Sequence, residues 1–77
     1  MAVQSIDRAF QVLKALAVEP SGVTDLAMRV GLPKSTVARM LSSLEEQGAV
    51  TRGPDGTSYA IGIGLVELEQ IQFRILD

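Results

Sequence analysis

GLPKSTVARMLSSLEEQG, residues 31–48, is a predicted turn followed by a helix over about residues 34–47. Its apolar residues recur at helical spacing and predict one buried stripe: Val37, Met40, Leu41 and Leu44. The opposite side, the outer face, carries short hydroxyl side chains and one arginine: Ser35, Thr36, Arg39, Ser42 and Ser43. A solvent-facing helix surface usually carries long, strong helix formers such as Glu, Lys and Gln. The composition of the outer face therefore indicates a surface shaped to fit against something else.

The turn before this helix follows a short amphipathic element at residues 23–30. Thr24 is the expected N-cap of that element, and Gly31 suits the positive φ that follows a helix end. Pro33 can start a helix but cannot continue one. Leu32 lies between them and is expected to point inward. Two helices joined by about three or four residues with a glycine have the helix-turn-helix spacing.

Nearer the N-terminus, SIDRAFQVLKALA at residues 5–17 predicts the first helix, with Ser5 as N-cap. Its apolar residues form one expected stripe: Ile6, Ala9, Phe10, Leu13, Leu16 and Ala17. Glu19-Pro20-Ser21-Gly22 ends the helix.

The segment after the third helix, AVTRGPDGTSYAI at residues 49–61, alternates around Gly53-Pro54-Asp55-Gly56. This pattern predicts a β-hairpin with strands at 49–52 and 57–61. A lone hairpin is not stable in water, so it must pack on the helices. Gly22-Val23 is a candidate third strand.

The last segment predicts a helix from about Leu65. Its expected stripe is narrow and consists of Leu65, Leu68, Ile71 or Gln72, and Ile75, with Val66, Phe73 and Leu76 beside it. It has no stop signal, as expected of a helix that continues or packs on another chain. The predicted fold class is mainly α with a small β-hairpin: a winged helix-turn-helix (three-helix core plus wing) followed by a linker helix. Residues 1–62 form the winged domain, and residues 63–77 form the linker, a candidate dimerisation element.

Length and composition exclude several classes of function. The 77 residues suffice for one small domain, and 47% hydrophobic residues support a packed core. The chain has no Cys and no His, which removes the commonest transition-metal ligands and the commonest general base. Gly62-Ile63-Gly64 resembles part of a dinucleotide loop, but Glu67 stands where the third glycine belongs, so no cofactor is expected.

No membrane partner is expected either. No apolar run reaches the roughly 20 residues of a bilayer span, and the first residues lack a signal-peptide pattern. A cytoplasmic protein is therefore predicted.

The charge distribution is uneven, although the net charge is only −2. Residues 29–52 hold four basic and two acidic residues: Arg29, Lys34, Arg39, Arg52, Glu45 and Glu46. The rest of the chain is acidic. A basic middle within an acidic frame is compatible with one nucleic-acid-binding face.

The start of the third helix carries the main candidate contacts with double-stranded DNA. In a helix-turn-helix unit this helix enters the major groove, and its N-terminal residues meet base edges. Ser35 and Thr36 can donate to phosphate oxygens, and Lys34 adds a charge for phosphate. Arg39, one turn further on, can reach guanine O6 and N7. No acidic residue stands three or four positions from Arg39, so no helical neighbour competes for it.

Three further residues are candidate contacts with the DNA flanks. Ser42 or Ser43 can touch the flanking backbone. Arg52, in the hairpin, either enters a minor groove, contacts phosphate, or is a solvated strand end. Glu45 and Glu46 are interpreted as solvent-facing helix formers that mark where the DNA-facing surface of the third helix ends.

Three stretches also resemble the N-terminal DNA-binding domain of IclR-type bacterial transcription regulators: SIDRAFQVLKAL, DLAMRVGLPKSTVARMLSSLEEQGAV and YAIG. The resemblance covers roughly residues 4–70. It implies a homodimeric repressor or activator that binds an operator. It also implies a C-terminal domain, absent from these residues, that binds a small-molecule effector and is joined through the linker helix. The match supports Lys34, Ser35, Thr36 and Arg39 as DNA-facing residues.

Two other classes of function remain open at this point. A winged-helix module that binds protein rather than DNA would fit the acidic total, and it predicts an acidic or apolar outer face. An enzyme is the weakest alternative, because the chain offers no His, no Cys and no evident carboxylate cluster.

Overall fold

The computed structural model describes the backbone of residues 3–76 and the side chains of residues 3–71. The elements in chain order are α1 (Gln4–Val18), β1 (Ser21–Gly22), α2 (Val23–Val30), α3 (Lys34–Glu46), β2 (Val50–Arg52), β3 (Ser58–Ile61) and α4 (Ile63–Leu76). This order confirms the predicted winged helix-turn-helix. The predicted apolar positions Phe73, Ile75 and Leu76 lie outside the described side chains, and so do the terminal residues of the two predicted domains, Met1, Ala2 and Asp77.

The turn between α2 and α3 has the predicted geometry. Gly31 adopts φ 72°, and its N–H donates to the carbonyl of Ala27 at 2.9 Å. Leu32 is half-buried and packs against the core, as expected. Pro33 is the N-cap of α3, one position before the first helical residue. Its fixed φ of −59° and extended ψ set the angle at which the chain enters α3.

The predicted stripe of α3 is confirmed. Val37 and Leu41 are fully buried, and Met40 and Leu44 are half-buried beside them. The other members of the core come from α1, α2 and the sheet: Val12, Leu13, Leu16, Leu26, Ala27, Ala49, Val50 and Tyr59. Burial of one side of α3 against these residues fixes which side faces outward.

The predicted stripe of α1 is wrong in part. Leu13 and Leu16 are buried as expected, but Phe10 is 56% exposed and Ile6 is 54% exposed. Ala17 is also exposed, whereas Val12, which the stripe omits, is fully buried. Helical periodicity shows that a stripe exists, but the direction it faces depends on where α2 and β3 lie. Both pack on α1, and they turn its Val12 side toward the core.

Both predicted N-caps are also wrong. α1 begins at Gln4 after Val3, which places Ser5 inside the first turn. α2 begins at Val23, so Thr24 is already helical. Gly22 pairs with β3 and passes directly into the helix, which moves the cap position to the glycine.

The three strands form an antiparallel sheet in the order β1-β3-β2. The hairpin is confirmed, with Thr51 opposite Ala60 and Arg52 opposite Tyr59. The third strand lies one residue earlier than predicted, at Ser21–Gly22, because Val23 starts α2. The sheet places the wing beside the C-terminal end of α3.

Asp55 organises the turn at the tip of the wing. Its Oδ1 accepts hydrogen bonds from the backbone N–H of Thr57 at 3.0 Å, the N–H of Ser58 at 3.1 Å and the hydroxyl of Ser58 at 3.0 Å. These donors favour the carboxylate, and the backbone bond from Thr57 contributes most, so the pKa of Asp55 falls from 3.8 to about 2.

We expect Asp55→Asn to be less stable than the wild type at neutral pH, because Asn keeps an acceptor oxygen but cannot ionise. The folded pKa lies below the unfolded one. The stabilisation from the carboxylate is therefore complete above about pH 4 and is lost as the pH falls toward about 2. Urea unfolding at several pH values measures the difference between the two proteins. A difference that stays constant from neutral pH to about pH 2 contradicts the prediction.

α4 begins at Ile63, two residues earlier than expected, because a close backbone contact holds its start. The N–H of Gly62 donates to the carbonyl of Ala49 at 2.8 Å, and the N–H of Gly64 donates to the carbonyl of Gly48 at 3.0 Å. A Cβ at Gly62 would overlap the Gly48 carbonyl oxygen. Glycine is thus needed at Gly62 and Gly64, because the start of α4 lies too close to the backbone of Gly48 to leave room for a Cβ. Among the described helices, none is both long and apolar enough to cross a membrane.

Candidate nucleic-acid interface

The exposed residues of α3 before its last turn are all basic or hydroxyl-bearing: Lys34, Ser35, Arg39, Ser42 and Ser43. Thr36 is half-buried at the edge of this set. The structure thus gathers six of the seven predicted site residues on one helix. Their roles toward DNA stay predictions.

The side chains of Arg39 and Lys34 form no salt bridge or hydrogen bond with the other described side chains. Among the described side chains the only salt bridge joins Arg52 and Glu45, so neither cation has an acidic partner there. Neither side chain donates a hydrogen bond within that same part of the chain. Unpaired cations of this kind are available to phosphates and base edges.

A cleft of about 370 Å³ runs between α1 and α3, and we call it the α1–α3 cleft. Four of its lining residues are half-buried: Ala9, Thr36, Met40 and Leu44. The other three are exposed and polar: Ser5, Arg39 and Ser43. The cleft thus has a mostly apolar floor and an edge of hydroxyls and one guanidinium, and the part of the chain whose side chains are described adds no acidic residue to its lining.

Arg52 is the last residue of β2 in the wing, and its side chain contacts one residue of α3 and one residue of β3. Its Nε is 3.4 Å from a carboxylate oxygen of Glu45, and its guanidinium carbon is 5.3 Å from the centroid of the Tyr59 ring. The interpretation of Glu45 as only a solvent-facing helix former is therefore wrong, because Glu45 is half-buried and holds the wing arginine. The side chain of Arg52 is still 50% exposed, so these contacts do not enclose it.

Arg29 belongs to the basic middle of the sequence but is engaged elsewhere. It donates to the backbone carbonyls of Ala15 and Glu19 and to the hydroxyl of Ser21. It therefore binds carbonyl groups where α1 ends and β1 begins, an ordinary role for a cation near a helix C-terminus. The charge available for a nucleic acid on α3 is that of Lys34 and Arg39.

Ser5, as a residue of the cleft, is missed by sequence reasoning. The sequence shows a serine near a helix start, for which N-capping is the usual role. Only the tertiary structure places it on the lining of the same cleft as Arg39 and Ser43. In the described part of the chain, no three acidic residues converge as a metal site would require.

Comparison with known proteins gives one consistent result. A family model described as "IclR helix-turn-helix domain" matches residues 5–54. The chain is 40% identical to the HTH-type transcriptional regulator TtgV of Pseudomonas putida, over 97% of this chain and 30% of that protein. It is 37% identical to the transcriptional repressor IclR of Escherichia coli, over 78% of this chain and 23% of that protein.

Solved structures agree with the family match. An IclR transcriptional regulator from Alicyclobacillus acidocaldarius superposes with a TM-score of 0.81 and 34% identity, over 88% of this chain and 28% of that one. The chain thus spans less than a third of the length of these relatives. The family model covers the helices and the turn that create the outer face of α3, and the chain belongs to the IclR helix-turn-helix family.

Proposed function

We propose that α3 enters the major groove of double-stranded DNA and that its outer face reads an operator sequence. The chain is a DNA-binding regulatory domain by family. The observation that carries the proposed geometry is the exposed side of α3, where hydroxyls accompany two cations that have no acidic partner among the side chains of residues 3–71. A protein-binding module would need an acidic or apolar surface there, and nothing in the described part of α3 before Glu46 favours that alternative.

Each predicted residue has a role in this proposal. Arg39 reads a guanine through O6 and N7, because its fork is unpaired and exposed. Ser35, Thr36 and Lys34 contact phosphates near the start of α3. Ser42 and Ser43 contact the flanking backbone.

Arg52 binds phosphate or a minor groove through the nitrogens that Glu45 leaves free. This chemistry is binding alone, and we propose no catalytic step. A DNA-binding regulator acts where the bacterial chromosome lies, so the cytoplasm is its proposed location.

We further propose that two copies bind two half-sites about one helical turn, or roughly 34 Å, apart. Exposed apolar residues of α4 support an association through this helix: Ile63, Val66, Leu68 and Ile71. Residues 63–77 serve as the linker, and residues 1–62 form the DNA-binding domain. In a longer chain, of the length seen in relatives, an effector domain for a small molecule follows the linker.

The proposed function is tested by the salt dependence of DNA binding. A duplex enriched from a random pool by the wild-type chain serves as the probe. With about three to five phosphate contacts per subunit, the logarithm of the binding constant falls with the logarithm of salt at a slope near −0.9 per contact. Fluorescence anisotropy from low to high salt measures this slope. A flat response, or failure of any duplex to be enriched, overturns the proposal.

A further inference from the structure

The α1–α3 cleft combines an apolar floor with a polar edge. Its half-buried floor is mostly carbon, from Ala9, Met40 and Leu44. Its exposed edge holds the guanidinium of Arg39 and the hydroxyls of Ser5 and Ser43. None of the described residues that line it is acidic. A sugar–phosphate strand matches the floor and the two hydroxyls, because deoxyribose is mostly carbon and phosphate oxygens accept hydrogen bonds from serine. The guanidinium of Arg39 is left for the base that it is proposed to read.

The geometry of a helix in DNA decides what meets this cleft, given the proposed function. The major groove is about 12 Å wide, and a helix with its side chains is about 10–12 Å across. The flanks of such a helix therefore lie against the two sugar–phosphate strands. The α1–α3 cleft is one flank of α3, since Thr36, Met40 and Ser43 line it from that side.

We propose that one sugar–phosphate strand of the operator runs along the α1–α3 cleft, with deoxyribose on its apolar floor and a phosphate at Ser5. This inference rests on the proposed function and adds α1 to the DNA-binding surface. Ser5 becomes a backbone-positioning residue that carries no base preference, because phosphate contacts fix register without reading sequence. Small side chains at Ser5 and Ala9 keep the cleft open for the strand.

The test places a charge at Ser5 and, as a matched control, the same charge at Gln11 on the same helix. Gln11 is exposed and does not line the cleft. We expect Ser5→Lys to raise DNA affinity several-fold at low salt and to steepen the salt slope by about 0.9, the value for one added phosphate contact. Gln11→Lys changes both far less. The gain from Ser5→Lys is the same for the enriched duplex and for an unrelated duplex of equal length.

The reverse charge gives a second measurement. Ser5→Glu weakens binding to both duplexes several-fold more than Gln11→Glu does. Folding is not the cause, because an acid in the first turn of a helix is favourable, and thermal unfolding of each variant checks this. If the wild type binds and Ser5→Lys behaves like Gln11→Lys, the cleft assignment is wrong while the proposed function stands. If the wild type binds no duplex, the proposed function fails and the cleft assignment falls with it.

Discussion

Replacing Arg39 with alanine is expected to remove the preference of the domain for one base pair, at a cost of roughly 1–3 kcal/mol in discrimination. The guanidinium is exposed, has no acidic partner among the described side chains, and stands one turn from the start of α3. A bidentate contact with guanine supplies two hydrogen bonds that no other base offers in the same geometry. Without it, guanine loses its advantage over the other bases at that position.

Lys34→Ala is the matched control for this experiment. Both residues are exposed cations on α3, and both substitutions remove one positive charge. Lys34→Ala is expected to weaken all duplexes alike and to reduce the salt slope by about one, as loss of a phosphate contact does. Binding to the enriched duplex and to its single-base variants separates the two effects. Equal, small losses on every sequence for both variants would refute the assignment of Arg39 as a base reader.

Replacing Gly62 with alanine is expected to destabilise the fold by at least about 1–3 kcal/mol, because the added Cβ overlaps the Gly48 carbonyl oxygen. Both groups belong to backbone that is held by hydrogen bonds between residues 48–49 and residues 62–64. Neither side can yield without loss of those bonds. For a domain of this size such a loss lowers the Tm by roughly 5–20 °C.

Gly22→Ala is the matched control for backbone effects. The added Cβ would lie 3.4 Å from the carbonyl oxygen of Thr57, an ordinary contact, and the φ of −79° at Gly22 is open to alanine. We expect a Tm equal to that of the wild type or slightly higher, because alanine lowers the entropy of the unfolded chain. Thermal unfolding followed by circular dichroism compares the three proteins. A Tm for Gly62→Ala within a degree or two of the wild type contradicts the close-contact interpretation.

The main elements were predictable because local rules determine them. Gly31 needs positive φ, Pro33 can only start a helix, and the turn signal at residues 53–56 separates two alternating runs. Each signal acts over a few residues of chain. The outer face of α3 was predictable for the same reason, since helical spacing alone separates Val37 and Leu41 from Ser35 and Arg39.

Most of the errors share one cause, which is that they concern the neighbours of an element. The stripe of α1 was placed over Phe10, but the positions of α2 and β3 bring Val12 to the core instead. Thr24 is not an N-cap, because Gly22 pairs with β3 and passes directly into α2. Ser5 is not an N-cap either, because α1 already begins at Gln4. Sequence spacing does not reveal the ion pair of Glu45, because its partner Arg52 lies in the hairpin, which only the tertiary fold places beside α3.

The amino-acid sequence alone determined that this chain has a three-helix core with a glycine turn, a hairpin wing, a fourth helix after the wing and a hydroxyl-rich helix face with one arginine. Periodicity, turn chemistry and charge spacing are properties of short segments, so they can be read without coordinates. Only the tertiary structure decided which cations remain unpaired, since it engages Arg29 at the end of α1 and Arg52 with Glu45. It also placed Ser5 and Arg39 on the lining of one cleft, because the relative positions of distant segments arise from packing.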